Sequence, residues 1–275
     1  MNTQTLLLDV GGTFIKCSDG RSIPISSGGS HAEIAASLQE AVSPLKGSDG
    51  SSVSDAAVGV CIPGPFDYRQ GVFLMKHKFA SVYGESFRAL AGLSDSVRIG
   101  FVHDVNAPLL GLLSERPELR RGRVALVTLG TGLGFSYAVD GVVQMDEHLD
   151  PVRSLYDRPF RDSILEDFVS RRAILKVYGK PVEGDVKEIS ERARAGEKAA
   201  IEAFLSVGKA FAEGARPLLE ELDIKTIFFG GQIARSFDLM DPAVRQGLPG
   251  ISLEVIRDYS HTAMLGAASV LSSRV

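Results

Sequence analysis

Cysteine is scarce in this chain. Only Cys17 and Cys61 occur among 275 residues, which excludes a disulfide framework and fits a reducing cytosol. Basic charge is not in excess either. Thirty Lys and Arg stand against 34 Asp and Glu, for a formal net charge of −4, so the footprint of a nucleic-acid binder is missing. No apolar run approaches the roughly 18 residues of a membrane span. The opening "MNTQTLLLDV" lacks the basic start and apolar length of a signal peptide. Repeats at solenoid periods are absent. What remains is a composition of 44% apolar and 23% charged residues, ordinary for a globular protein. The length suits one large domain or two small ones. The expectation is a cytoplasmic protein that engages neither nucleic acid nor membrane.

Five short apolar runs read as strands covered on both faces: 5–10, 56–62, 98–102, 124–129 and 224–229. Helical patterns lie between them. In "HAEIAASLQEAV", Ala35, Leu38 and Val42 share a face. The stretch 161–178 places Ile164, Leu165, Phe168, Leu175 and Tyr178 on one stripe and predicts a helix. Residues 197–222 predict a long helix that Pro217 kinks or interrupts. The segment 43–55 is small and polar and predicts a surface loop. The C-terminal "HTAMLGAASVLSSRV" predicts a helix able to pack back on the first domain. Strands alternating with helices define an α/β class.

Two turns stand out. In "DVGGTFIK" the residues after Gly12 are strand-like, so neither the phosphate loop nor the dinucleotide fingerprint fits. A hairpin is expected, with Gly11 and Gly12 letting backbone approach a ligand and Thr13 adding a hydroxyl. Asp9 ends the strand and is costly to bury unsatisfied. A Mg²⁺ shell would satisfy it; so would a tight turn bonded to its own Asp. The stretch "VTLGTGLGFSYAVDG" repeats the theme with Gly130, Thr131 and Gly132. Backbone N–H groups of two such turns can converge on phosphate oxygens. A third pair, Gly230 and Gly231, precedes "QIARSFDLM", read as a helix. That junction serves either a ligand or a plain helix start.

At this spacing the chain resembles the ROK family of sugar kinases, within the actin–hexokinase–Hsp70 ATPase superfamily. The resemblance rests on "DVGGTFIK", "GVCIPGPFD" (59–67), "HDVNAPLLG" (103–111), "TLGTGLGFSYAVDG" and "FFGGQIA" (228–234), in order. It implies an α/β, two-domain actin-like (ribonuclease H-like) fold with a central cleft. The expected division is 1–106, completed by the helix 262–275, and 107–261. The implied activity is ATP-dependent phosphorylation of a hexose or related sugar. ATP and Mg²⁺ are the implied cofactors, and a homodimer is the implied assembly.

Residue by residue, the resemblance implies Asp104 as catalytic carboxylate, orienting a sugar hydroxyl and accepting its proton. Capping the helix near Asn106 is the alternative for that Asp, and both can hold together. The implied ATP-binding residues are Asp9, Gly11, Gly12, Thr13, Lys16, Gly130, Thr131, Gly132, Gly230, Gly231 and Gln232. Asp9 is expected to hold Mg²⁺ through water. The implied sugar side holds Pro65, His77, His103, Asn106 and Glu166. For His77 a surface position explains the residue equally, and Glu166 also reads as a solvated helix position. His103 replaces a family Asn that contacts sugar hydroxyls, and brings a titratable ring.

The departures are specific. The family's Gly-Glu-x-Gly-His segment and zinc-binding cysteine cluster have no counterpart in "GVVQMDEHLDPVRSLYDRPFRDSILEDFVSRRAI" (141–174). A cysteine zinc site is therefore not expected. Glu147 and His148 are the pair that could stand in for the missing segment. Two other readings stay open: a non-catalytic sugar sensor, and a degenerate kinase that binds without turnover. Family repressors carry an N-terminal helix-turn-helix, and the early phosphate-like motif at Asp9 leaves no room for one.

Overall fold

The computed structural model describes residues 4–46 and 55–272. The expected loop at 43–55 lies largely outside them; its described start is a 3-10 turn, Ser43–Leu45. The chain divides into two compact units. The first comprises Met1–Pro117, Met145–Asp150 and Ser260–Val275, and the second Glu118–Gln144 and Pro151–Tyr259.

In the first unit, β1 (Gln4–Val10), β2 (Phe14–Cys17) and β3 (Ser22–Pro24) form an antiparallel meander. The helix α1 (His31–Ala41) then carries the chain over to β4 (Ala56–Ile62), parallel to β1, as a parallel pair requires. Its start is fixed by a capping box: Ser30 Oγ accepts from the Glu33 N–H, and Glu33 Oε2 accepts from the Ser30 N–H at 2.7 Å. Its inner face buries Ile34, Ala35, Leu38 and Ala41. A small hairpin of β5 (Phe66–Asp67) and β6 (Val72–Phe73) and the short helix α2 (Phe87–Ala91) lead to β7 (Arg98–His103) and α3 (Asn106–Glu115). The sheet order is β3-β2-β1-β4-β7. Every residue of β4 is buried. Val58, Val60 and Ile62 face one core with Phe73 and Phe79, while Cys61 faces another. That double cover explains the unbroken apolar run.

The second unit repeats the plan. β8 (Arg123–Leu129), β9 (Leu133–Val139) and β10 (Val142–Val143) are antiparallel, and β13 (Thr226–Gly230) and β14 (Ser252–Val255) run parallel to β8. The order is β10-β9-β8-β13-β14. The stretch 161–178 departs from the single predicted helix. A hairpin of β11 (Pro159–Phe160) and β12 (Ser163–Ile164) comes first, then a 3-10 turn at Leu165–Asp167, and only Arg171–Tyr178 is helical, as α4. Arg161 at φ 55° closes the hairpin, and Ser170 is extended just before α4. Leu165 and Phe168 keep the i, i+3 spacing of the predicted stripe, yet they lie in and at the end of a 3-10 turn.

α5 (Asp185–Arg194) follows, then α6 (Lys198–Glu221), which passes through Pro217 as one helix. Its buried Ala215, Leu218 and Leu219 clamp the chain on both sides of the proline. The segment after Gly231 is 3-10, Ile233–Leu239, with a non-helical Ser236, rather than the expected α-helix. α7 (Asp241–Gly247) precedes β14.

The C-terminal α8 (Tyr259–Ser272) supplies the other core of the first unit. A Cβ on Gly266 would lie 1.8 Å from the Ala107 carbonyl oxygen, and one on Gly111 2.0 Å from that of Thr262. α3 and α8 thus pack backbone against backbone, which only glycine permits. Among the described residues no helix is long and apolar enough to cross a membrane.

Candidate active site

The parallel strands of the first unit bring chemistry to their carboxyl ends. Asp9 pairs in register with Cys61, and Ile62 pairs with His103. The Asp104 N–H then donates to the Ile62 carbonyl at 3.1 Å. Carboxyl ends of parallel strands are where open α/β sheets hold ligands.

Asp9 accepts hydrogen bonds from the Ser260 hydroxyl and the Cys61 thiol. Lys16 Nζ donates to Ser260 Oγ at 2.5 Å. Burial pushes the Asp9 carboxyl up; the Lys16 charge opposes this, the Asp104 charge adds to it, and the net direction is upward. Cys61 is pushed well up by burial and by the same two carboxylates, and stays a thiol.

Asp104 has the opposite balance. Burial raises it, but the hydrogen bond to and charge of His103, the Lys78 charge and the Val105 N–H outweigh burial. It is held below the ordinary carboxylate range while 40% of its side chain stays exposed. His103 Nδ1 lies 3.0 Å from Asp104 Oδ1, and Nε2 lies 3.8 Å from Asp150 Oδ1. Burial lowers the imidazole, yet the two acids win and the net direction is upward.

The segment 146–150 carries Asp150. Asp146 Oδ1 accepts from the N–H groups of His148 (2.8 Å) and Asp150 (3.0 Å). Asn106, fully buried, donates from Nδ2 to the Leu149 carbonyl at 3.2 Å. Asn106 thus anchors the segment to α3. Gly64 completes the arrangement: a Cβ there would meet Tyr68 Oη at 3.1 Å, Asp150 Oδ1 at 3.3 Å and His103 Cδ2 at 3.4 Å. The bare α-carbon of Pro63-Gly64-Pro65 leaves room for these three side chains. Pro65 and His77 are exposed. Glu147 and His148 are 87% and 74% exposed, 3.6 Å apart and turned to solvent. The acid of this segment that reaches His103 is Asp150, which the sequence reading passed over. Its one signal was the density of acids in "DEHLD".

The first glycine turn is a hairpin, as its sequence predicts: Val10 pairs with Ile15, and the Gly11 N–H donates to the Phe14 carbonyl at 2.9 Å. Ser27 and Ile25 N–H groups hold the carbonyls of Gly12 and Thr13. The N–H groups of Gly12 and Thr13 have no acceptor among the described residues, and Thr13 is exposed.

The second turn, in the second unit, is also a hairpin, with Leu129 paired to Leu133. Glu166 holds it. Glu166 Oε2 accepts from the Leu133 N–H at 2.9 Å, and Oε1 lies 3.3 Å from Arg172. A Cβ on Gly132 would be 2.5 Å from Glu166 Oε2. The Arg171 N–H donates to the Gly130 carbonyl at 3.0 Å. Next to it the buried Ser170 Oγ has no hydrogen-bond partner, the kind of orphan that a ligand or water satisfies. Thr131 is exposed at the tip. Gly231, at φ 91°, comes so near the Leu129 carbonyl that a Cβ would lie 2.5 Å from it, and one on Gly230 would strike the Tyr259 ring. These two glycines therefore seat the second turn on its neighbours. Gln232 is exposed beside them.

The model of the ROK family matches residues 160–269. No curated protein matches the chain by sequence. Among solved structures, a glucokinase from Parabacteroides distasonis shares the fold at 19% identity and a TM-score of 0.76, over 98% of each chain. A ROK family glucokinase from Streptomyces griseus, in complex with glucose and AMPPNP, shares it at 19% and 0.74, over 96% of this chain and 98% of that one. A ROK family transcriptional regulator, a homolog of the E. coli MLC protein, shares it at 18% and 0.71, over 98% of this chain and 78% of that one. The chain therefore has the two-domain actin-like fold of ROK sugar kinases. Its resemblance to the ROK family is carried by sequence across residues 160–269 and by fold across nearly its whole length.

Proposed function

We propose that the chain transfers the γ-phosphoryl group of ATP to a sugar hydroxyl, with Asp104 orienting that hydroxyl and accepting its proton. The observation that carries the reading is Asp104 itself. It is a partly exposed carboxylate at the carboxyl end of the sheet, kept ionised by His103 and Lys78. An ionised carboxylate can align a sugar O–H for in-line attack on phosphorus. As the new P–O bond forms and the bond to the ADP oxygen breaks, the hydroxyl proton passes to Asp104. Such a transfer needs positioning more than a strong base, so a depressed pKa suits it. In the first unit the N–H groups of Gly12 and Thr13 are offered to an anion such as phosphate; the second unit by itself offers the buried Ser170 hydroxyl beside its own glycine turn.

Mg²⁺ fits the donor set around Asp9. Its carboxyl is hard oxygen, and burial and the Asp104 charge leave its negative charge under-compensated despite Lys16. Asp9 would hold the ion through water, where it supplies charge neutralisation for the phosphates. Lys16, tied through Ser260 to Asp9, adds a positive charge on the same side.

One observation favours a second reading, binding without turnover. Glu166, implied as a sugar contact, is occupied by the Leu133 N–H and Arg172. ADP release with Mg-ATP against a panel of hexoses and amino sugars decides between them. Sugar-dependent release that Asp104→Asn abolishes, with ATP binding kept, supports the kinase. Binding of ATP with no release for any sugar supports the alternative.

A further inference from the structure

We infer that Asp150 is a positioning residue that acts through His103 on Asp104, so that a carboxylate–imidazole–carboxylate relay fixes the orientation of the base. The inference rests on the phosphotransferase reading and deepens it.

His103 Nδ1 has two partners at 3.0 Å. One is Asp104 Oδ1, and the other is the N–H of Val105. These demand different protonation states of Nδ1, and the Val105 N–H, which also donates to Asp104, has an acceptor in either. A protonated Nδ1 donates to Asp104. An unprotonated Nδ1 accepts from Val105 and presents a lone pair to a carboxylate oxygen at the same 3.0 Å, which is repulsive. Nδ1 must therefore carry a proton to hold Asp104 Oδ1, as it does in the imidazolium and in the neutral Nδ1–H tautomer, whose bare Nε2 lone pair would face Asp150 at 3.8 Å. Asp150, facing Nε2, is the second charge that favours the imidazolium.

The surroundings make this pair dominant. Tyr68 stacks at a tilt on the imidazole, with centroids 5.6 Å apart, and burial keeps its phenol neutral. Cys61 is a buried thiol. Lys78 and Asp9 act on Asp104, the first lowering its pKa and the second a like charge across from it. Asp146 and His148 act on Asp150 with opposite signs. Gly64 keeps the contact points of Asp150 and His103 close, and Asn106 pins the segment that bears Asp150. The relay is built from this chain's own pairing of His103 with Asp150.

Asp150→Asn keeps the shape and an acceptor oxygen while removing the charge. Two readouts test it on the full chain. The first is an NMR titration of the His103 imidazole, assigned by its loss in His103→Asn. In the native protein it should titrate above the ordinary histidine value, and Asp150→Asn should lower it. The second is the pH profile of sugar-dependent turnover. Native kcat should fall as pH rises through the His103 titration, and in Asp150→Asn that fall should move to lower pH. At neutral pH kcat should drop about tenfold, the lower end of what loss of an outer partner costs a metal-bound ligand, with the KM for ATP unchanged. Asp150→Glu should restore part of both. A His103 titration that Asp150→Asn leaves unmoved overturns the inference, whether or not the chain is a kinase. So does an unchanged pH profile in an active enzyme. A titration that moves in a chain with no sugar-dependent turnover overturns the phosphotransferase reading, and the role of Asp150 in turnover falls with it.

Discussion

The two units share a sheet plan and differ in what stands at the strand ends. Each has a three-stranded antiparallel meander followed by two parallel strands, and each meander opens with a glycine–threonine hairpin. In the first unit the carboxyl ends bear Asp9, Cys61, His103 and Asp104. In the second, Thr128 and Gly230 pair at the positions of Asp9 and Cys61, and β14 ends in Val255. There, an acid arrives from outside the sheet: Glu166 reaches the Leu133 N–H and stabilises the turn. The same scaffold thus serves two tasks. One half gathers carboxylates and an imidazole at its strand ends, and the other offers neutral backbone near an orphaned hydroxyl, Ser170.

The sharpest test of that division is Asp104→Asn. Loss of a positioned base should cost roughly 10²–10⁴ in kcat, while ATP affinity measured by calorimetry stays within about twofold. A comparable kcat loss from Glu166→Gln would break the comparison by giving the second unit an equal share in the chemistry.

The next largest effect concerns packing. Gly266→Ala would drive a methyl into the Ala107 carbonyl, whereas Gly214→Ala would meet the movable tip of Leu165. The first should cost about 3 kcal/mol and the second about 1 kcal/mol, read from urea midpoints at constant m. Equal losses would show that the α3–α8 contact yields more than its backbone geometry suggests.

A smaller and opposite effect is expected at Asp9. Its folded pKa lies above the unfolded value near 3.8, so the native state binds the extra proton. Stability therefore declines as pH rises through the window above 3.8. At neutral pH Asp9→Asn should raise stability by about 1 kcal/mol in thermal melts without nucleotide, while Mg²⁺-dependent ATP binding weakens. A destabilised variant would show that the Ser260 and Cys61 hydrogen bonds need the charge.

The smallest effect belongs to His103. Its folded pKa is raised above 6.5, so its stabilising contribution is fully present below pH 6.5 and is lost as pH rises through the folded value. The melting-temperature gap between native protein and His103→Asn should narrow from pH 6 to pH 9. Asp104 works in the other direction. Its depressed value adds stability that is present above about pH 3.8 and lost in more acid solution.

Much of the scaffold was legible. Strand β4 coincides with its apolar run because both faces are covered, and each Gly-Gly or Gly-Thr-Gly stretch between strand-like residues did make a hairpin. The motif order carried the family resemblance. The error at 161–178 has a local cause: Ile164, Leu165 and Phe168 keep helical spacings with one another, but the left-handed Arg161 closes a hairpin and a 3-10 turn follows it, so only Arg171–Tyr178 is helical. Asp150 was illegible for a different reason. Nothing in "MDEHLD" says that six residues belong with strands laid down forty residues earlier, or that Gly64 leaves them space. The kinship of the two sheets showed only in the paired glycine–threonine turns, because different apolar residues fill equivalent strand positions without leaving a repeat.

The composition of the first unit from three separated stretches has a consequence for biosynthesis. When the first 117 residues have left the ribosome, the face of β4 and β7 that holds Cys61 and Val102 still lacks Ala263 and Ala267. Asp150 follows some thirty residues later, and Ser260, the partner of Asp9 and Lys16, more than a hundred after that. At about 5–20 residues per second, the second unit can be complete while the first still waits for its last helix. The acids at its strand ends therefore acquire their set proton affinities last, and a nascent chain halted before residue 260 carries Asp9, His103, Asp104 and Asp150 without the Ser260 partner of Asp9.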